Sequence, residues 1–237
     1  MIRADTRARF TANDLRLVVL LLSRGSLAQR SRWERLLAVE GPDALLDAPH
    51  LLERLLAVRS VLVPSEPLFF YVAVRHTLLR HGLDDRDVAD YLAAVLLEFG
   101  RRDRAMRVDW NDDQRHGYLV DILADLEQTQ GERRFLVLAH LGNYAVWLAG
   151  LFPDYIAARQ VRKGGPALEY YDHFGRHGFA QASDHQLANQ VGLDQVFRVA
   201  AEHFPAMRQA LNRFSDQVLF PTVATPDRIL RDLGYTH

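Results

Sequence analysis

The chain of 237 residues contains no cysteine, which excludes disulfide bonds, thiolate metal sites and cysteine nucleophiles. It also lacks an excess of one charge, because 29 basic and 30 acidic residues leave a formal net charge of -1. A protein that binds nucleic acid through a uniformly basic surface has a different balance. We therefore expect no nucleic-acid partner. Lysine is nearly absent, since Lys163 is the only one.

Signals for β-structure are scarce as well. Neither Asn-Gly nor Asp-Gly, the dipeptides typical of tight hairpin turns, occurs in the chain. Residues 61–63 and 220–223, both close to prolines, are candidates for short extended segments. Elsewhere apolar residues recur at spacings of three and four, the pattern of amphipathic helices. The helices that this pattern predicts include one over 118–129, which starts at Tyr118, and one over 186–203. The sequence predicts an all-α fold, a single-domain bundle (1–237) of about ten helices around one or two buried central helices, with a possible weak boundary at 100–116.

Residues 135–152, a segment without a charged side chain, are the strongest candidate for a membrane span. It has eighteen residues and includes His140 and Asn143, whereas a span needs roughly 20 apolar residues. We interpret it as part of a central helix over 132–151, the most buried element, with His140 and Asn143 hydrogen-bonded inside the protein. The N-terminal apolar run 17–22 is shorter than a signal-peptide core. We expect no membrane partner and a cytoplasmic location.

Motifs with a known catalytic mechanism are missing. The glycine patterns that cradle nucleotide phosphates do not occur, and neither does the G-x-S-x-G nucleophile motif. The stretch 109–113 resembles the start of a calcium-binding EF-hand loop. Gln114 stands where that loop requires glycine, however, and Val120 where it requires glutamate. The sequence leaves open whether the protein is an enzyme.

The window 166–184 combines the greatest variety of reactive side chains. Glu169, His173 and His177 are spaced by four residues and so share one face of a predicted helix, which also carries Tyr170 and Tyr171. Two histidines at this spacing can share a metal ion, but Glu169 lies too far along the axis to join them. We predict no cofactor. A metal ion at His173 and His177 is the minority alternative.

The segment 162–166 is a candidate anion site. Two glycines lead into a helix that begins with proline, which leaves backbone amides free to meet an anion. Arg162 and Lys163 add positive charge next to them. Turn formation alone accounts for the same residues.

Two segments resemble a group of uncharacterised bacterial all-helical proteins. The first is the run L-G-N-x-x-x-W-L-A-G-L-F-P at 141–153, and the second is the run Y-Y-x-x-F-G at 170–175. The resemblance covers about residues 135–185 and carries no established activity or catalytic residue. It implies only that the two segments pack against each other. Gly142 and Gly150 would give a smooth helix face that Tyr170, Tyr171 and Phe174 fill.

Two functional interpretations follow. In the preferred one, the protein is a non-catalytic helical module that associates with itself or with a protein partner. In the alternative, the helices enclose a pocket for a small ligand or metal ion, with or without catalysis. The side chains that we expect to line this pocket are Tyr144, Lys163, Glu169, Tyr170, Tyr171, His173 and His177.

Overall fold

The computed structural model describes residues 1–58, 63–101, 103–222, 225 and 228, and these residues contain thirteen α-helices and no strand. The all-α prediction is confirmed. The candidate extended segments at 61–63 and 220–223 lie partly outside the described residues. The helices are α1 (Ala12–Ser23), α2 (Leu27–Glu40), α3 (Asp43–Leu46), α4 (Leu51–Val58), α5 (Glu66–Arg80), α6 (Arg86–Phe99), α7 (Leu119–Gln128), α8 (Gly131–Leu151), α9 (Pro153–Lys163), α10 (Leu168–Ser183), α11 (Gln186–Gln190), α12 (Asp194–Glu202) and α13 (Phe204–Phe214).

Several helices begin where the sequence provides a capping side chain. The Thr11 hydroxyl accepts a hydrogen bond from the Asp14 amide, and the Asp14 carboxylate accepts one from the Thr11 amide at 2.8 Å. This reciprocal pair satisfies backbone donors that a helix start otherwise leaves free. Ser65 and Asp85 cap α5 and α6 through the same kind of bond.

The sequence predicted one helix over 186–203, and this prediction was wrong. Gly192 has a positive φ of 70°, which ends the first part of the segment and produces α11 and α12. The sequence also gave no indication of α9. It begins at Pro153, because proline fits the first turn of a helix, where its missing amide leaves no bond unmade.

The glycines of α8 and α10 allow the two helices to approach closely. A Cβ on Gly178 would lie 2.8 Å from the amide nitrogen of Gly142, and a Cβ on Gly142 would lie 2.6 Å from Cδ1 of Phe179. Both distances are shorter than a van der Waals contact. The side chains on the glycine face differ from those expected. Phe179 covers Gly142 and Leu211 covers Gly150, in place of Tyr170, Tyr171 and Phe174.

The most completely buried helix is α6 and not α8. Its last twelve residues, Val88 to Phe99, are all buried, whereas six of the 21 residues of α8 are not. Asn143 is hydrogen-bonded as expected, since it accepts a bond of 2.9 Å from the Tyr91 hydroxyl. The expectation for His140 was wrong for one atom, because its buried Nε2 has no hydrogen-bond partner.

Within the stretch 100–116, Arg104–Met106 form a short 3-10 turn. Ala105 and Val108 are buried in the same apolar core as residues on both sides of the stretch. None of the described helices is by itself long and apolar enough to cross a membrane. The pair α8 and α9, bent by 90°, meets the length and composition requirement only when taken together.

Candidate functional site

A groove of about 410 Å³ lies where the start of α7, the end of α9 and the start of α10 meet. Its volume falls within the range of small-molecule sites in proteins, roughly 300–1,000 Å³. Three tyrosines and one arginine provide most of its chemistry. The lining residues are Tyr118, Leu119, Val120, Arg159, Gly164, Pro166, Tyr170 and Tyr171.

The turn between α9 and α10 brings the parts of the groove together. Gly164 takes a left-handed conformation with φ of 63°, and its amide donates to the Gln160 carbonyl at 3.0 Å. Glycine adopts this conformation without steric cost, so α9 ends there. Gly165 and Pro166 then direct the chain into α10, which places the first turn of α10 beside Arg159.

Arg159 lies over the face of Tyr118. Its guanidinium carbon is 4.3 Å from the centre of the Tyr118 ring, a cation–π contact. Among the described residues, no carboxylate lies within ion-pairing distance, 4.0 Å, of this guanidinium. Arginine presents its donors in a planar fork that matches a carboxylate or a phosphate. An arginine that is held in place by an aromatic ring and lacks an acidic partner is suited to bind an anion.

The start of α10 adds a second positive feature to the groove. Its first turn follows Ala167, which has no side-chain acceptor for the free backbone amides. Unsatisfied amides and the helix dipole both favour a negative group at this end. Tyr170 and Tyr171 from the same turn supply apolar ring faces, with their ring centroids 5.7 Å apart.

Tyr144 lies behind the groove and anchors its rim. The Tyr144 hydroxyl donates a 2.9 Å hydrogen bond to the carbonyl of Gly117, which immediately precedes Tyr118. Burial raises the pKa of Tyr144, and burial also raises the pKa values of Tyr170 and Tyr171. These hydroxyls are therefore protonated at neutral pH and can donate hydrogen bonds.

The predicted site residues separate into two groups. Tyr170 and Tyr171 line the groove and Tyr144 lies beside it, whereas Lys163 is exposed at the end of α9. Glu169, His173 and His177 are exposed on α10 and do not line the groove. The His173 ring instead packs edge-on against the Phe174 ring, with the two ring centroids 4.9 Å apart.

The candidate metal site at His173 and His177 gains no third ligand. Within the described ranges, no three His, Asp or Glu side chains are close enough together to hold a metal ion. The helical spacing alone places the two histidines on one face of α10.

Sequence reasoning missed Arg159 and Tyr118, the two residues that define the groove. Arg159 is one of many arginines in the chain, and it lies in the helix that the sequence did not predict. Tyr118 was placed only as a helix start. Their contact depends on how α7 and α9 are each placed against α8, which local periodicity does not encode.

Comparisons of the chain with protein-family models, with curated proteins and with solved structures gave no match. The assignment of function therefore depends on the geometry of the groove and on the other polar and apolar surfaces of the molecule.

Proposed function

We propose that the protein binds a small organic anion with a flat apolar body in the groove between α7, α9 and α10. The observation that carries the proposal is the position of Arg159, which lies on Tyr118 without an acidic partner among the described residues. In this arrangement the guanidinium binds the acidic group of the ligand. The rings of Tyr118, Tyr170 and Tyr171 cover its apolar body.

The groove chemistry favours binding over catalysis. General acid–base catalysis requires a group whose pKa lies near the working pH. The lining residues include no histidine or carboxylate, and burial moves the pKa values of Tyr170 and Tyr171 upward, away from neutrality. This differs from the preference for a protein-association module that the sequence suggested, and it agrees with the alternative of a ligand pocket.

Titration calorimetry with two matched probes tests the proposal. The first is 2-naphthoate, and the second is 2-naphthamide, which has the same ring system without the charge. A charge-assisted hydrogen bond contributes about 1.5–3 kcal/mol, so we expect the wild type to bind naphthoate at least about tenfold more tightly than the amide. Arg159→Gln should abolish this preference.

The control variant is Arg176→Gln, which removes an exposed arginine of α10 that does not line the groove. It should retain the preference for naphthoate. The proposal is contradicted if neither probe binds at millimolar concentration, or if Arg159→Gln discriminates between the probes as well as the wild type does.

Self-association is a second candidate function, supported by a separate surface. Helix α2 has no buried residue, and an apolar groove of about 430 Å³ runs between α1 and α2. Leu20 lines this groove and is 50% exposed. Arg30 and Glu34 at its edge pair with each other at 2.8 Å, so two copies related by a twofold axis would bring no excess of one charge together at this edge.

Sedimentation velocity distinguishes this candidate from the first. If two copies meet at this face, Leu20→Gln should convert a dimer to a monomer. Leu27→Gln, at a position that is 80% exposed and outside the groove, should leave the dimer intact. Self-association is contradicted if the wild-type protein is monomeric at a concentration of about 100 µM.

A cytoplasmic location stays a prediction, which cell fractionation would test.

A further inference from the structure

Buried polar atoms without hydrogen-bond partners occur where Arg104 and His116, between α6 and α7, approach His140 of α8. Six buried side-chain nitrogen or oxygen atoms of the described residues have no hydrogen-bond partner, and four of them belong to Arg104, His116 and His140. They are Nε of Arg104, both ring nitrogens of His116 and Nε2 of His140. Nε2 of His116 lies 3.2 Å from the Asp125 carboxylate, so the other three atoms are the ones without a polar partner. Buried polar groups without a partner are rare in native proteins, since each costs about 1–3 kcal/mol. Three such atoms on Arg104 and its two neighbouring histidines indicate a site for a polar ligand.

Arg104 is the most unusual member of the group. Its side chain is 2% exposed, and in the described part of the chain no carboxylate lies within ion-pairing distance of it. One of its Nη atoms donates to the Arg107 carbonyl. The guanidinium also faces the rings of Phe99 and Trp110, at 5.8 and 5.7 Å.

These contacts do not compensate the buried charge. A cation–π contact contributes about 0.5–2 kcal/mol, whereas burying an unpaired ion costs several kcal/mol even after relaxation. Burial lowers the pKa of Arg104, and more distant carboxylates, including Glu98, Asp109 and Asp112, oppose this effect. An arginine keeps its proton in proteins. The guanidinium therefore stays positively charged, and a bound anion would compensate that charge.

The two histidines lie next to this cation. The His140 ring is 5.7 Å from Phe99, the ring that Arg104 faces, and 6.4 Å from the His116 ring. Nε2 of His116 lies 3.2 Å from the Asp125 carboxylate, which also pairs with Arg133 at 3.1 Å. Burial lowers the pKa of His140 well below its usual value, and the positive charges of Arg104 and Arg133 act in the same direction.

Charge decides which ligand fits. A water molecule would satisfy the imidazole nitrogens but would leave the Arg104 charge uncompensated. A metal cation would be repelled by Arg104, the cation of the group that no carboxylate of the described residues pairs with, whereas Arg133 is paired with Asp112 and Asp125. A small anion would both compensate the charge of Arg104 and accept hydrogen bonds, one from Nε of Arg104 and one from an imidazole N–H.

We infer that Arg104, with His116 and His140, forms an internal site for a small inorganic anion of the size of chloride or bromide. The Trp110 side chain, 46% exposed, lies over the guanidinium on the solvent side of this site. The site is distinct from the groove at Arg159 and does not depend on the proposed function.

Thermal unfolding in chloride tests the inference. The measurements use the Arg159→Gln variant, so that the groove does not contribute, and compare sodium chloride with sodium gluconate at equal ionic strength. A ligand that binds only the folded state raises the melting temperature, and at a hundredfold excess over its dissociation constant the rise for a chain of this size is about 5 °C or more. We expect such a saturating rise with chloride and none with gluconate.

Two further variants locate the effect. Arg104→Met, made in the same background, should abolish the chloride dependence. Arg101→Gln should retain it, because the Arg101 side chain is 56% exposed and its ion-pair partner is Glu98. If Arg104→Met does not fold, His140→Phe takes its place, since a phenyl ring keeps the contact with Phe99. It should weaken chloride binding at least about tenfold, the effect expected from loss of one such hydrogen bond.

A crystal soaked in bromide gives an independent readout on the unmodified protein. The inference expects an anomalous peak within hydrogen-bond distance of Nε of Arg104. It is overturned by the absence of a peak there, by equal melting temperatures in chloride and gluconate, or by an unchanged chloride dependence in Arg104→Met. Stabilisation by zinc in place of chloride would also overturn it, because the site would then bind a cation.

Discussion

At the scale of single residues, the contact between α8 and α10 depends on glycine. Gly142→Leu would introduce a side chain where Phe179 already lies 2.6 Å from the position of a Cβ. Overpacking of this kind costs about 1–3 kcal/mol. We expect the free energy of unfolding in urea to fall by that amount.

The control for this prediction is Gly117→Ala, because the nearest atom to a Cβ at Gly117 is 3.9 Å away. It should change stability by less than about 0.5 kcal/mol. Equal stability of Gly142→Leu and the wild type would show that the two helices separate at little cost.

His140 links the stability of the protein to pH. Its pKa in the folded state is lowered by burial, while in the unfolded chain it is about 6.5. The folded state therefore binds the proton less well, so the contribution of His140 to stability is present above about pH 6.5 and is lost as the pH falls below this value. We expect the urea midpoint to fall between pH 7 and pH 5.

His140→Phe should make this fall smaller, because the variant has no proton to take up on unfolding at that position. His177→Gln, at an exposed position, should leave the pH dependence unchanged. Part of the dependence should persist in His140→Phe, since burial also lowers the pKa of His76. An identical pH dependence in His140→Phe and the wild type would rule out this role.

At the scale of helices, the contribution of the capping residue at the start of α1 to stability can be measured. Thr11→Ala removes the hydroxyl that accepts from the Asp14 amide, and loss of such a cap costs about 1 kcal/mol. Ser31→Ala, at an exposed position within α2, serves as the matched control and should be neutral. Chemical denaturation that finds the two variants equally stable would contradict the assignment.

Helix starts were predictable from the sequence where a capping side chain marks them. Thr11, Ser65 and Asp85 mark helix starts through side-chain bonds to nearby amides, and these bonds are local. The split at Gly192 was not predictable from periodicity, because apolar residues continue at helical spacing on both sides. Only the backbone conformation of the glycine reveals it.

The candidate site was half predictable for the same reason. Tyr170 and Tyr171 stood out as an aromatic pair at a helix start, and the structure places both in the groove. Glu169, His173 and His177 share a helix face, but the face is exposed. Whether a face meets a neighbouring helix depends on contacts distant in sequence. Those contacts also bring Arg159 to Tyr118 and His116 to His140.

At the scale of the whole molecule, native mass spectrometry examines both proposed functions together. The spectrum of the protein as purified reports its oligomeric mass and any retained ligand. A monomer that carries a small organic acid supports the groove, and a ligand-free dimer supports association through α1 and α2. A monomer with neither bound ligand nor affinity for the naphthoate probe would contradict both.

The most direct test of the central claim is a crystal structure of the protein with 2-naphthoate. We predict that the carboxylate lies within hydrogen-bond distance of the Arg159 guanidinium and that the rings pack against Tyr118 or Tyr170. A naphthoate bound elsewhere, with the groove at Arg159 free of it, would contradict the claim that this groove is the binding site.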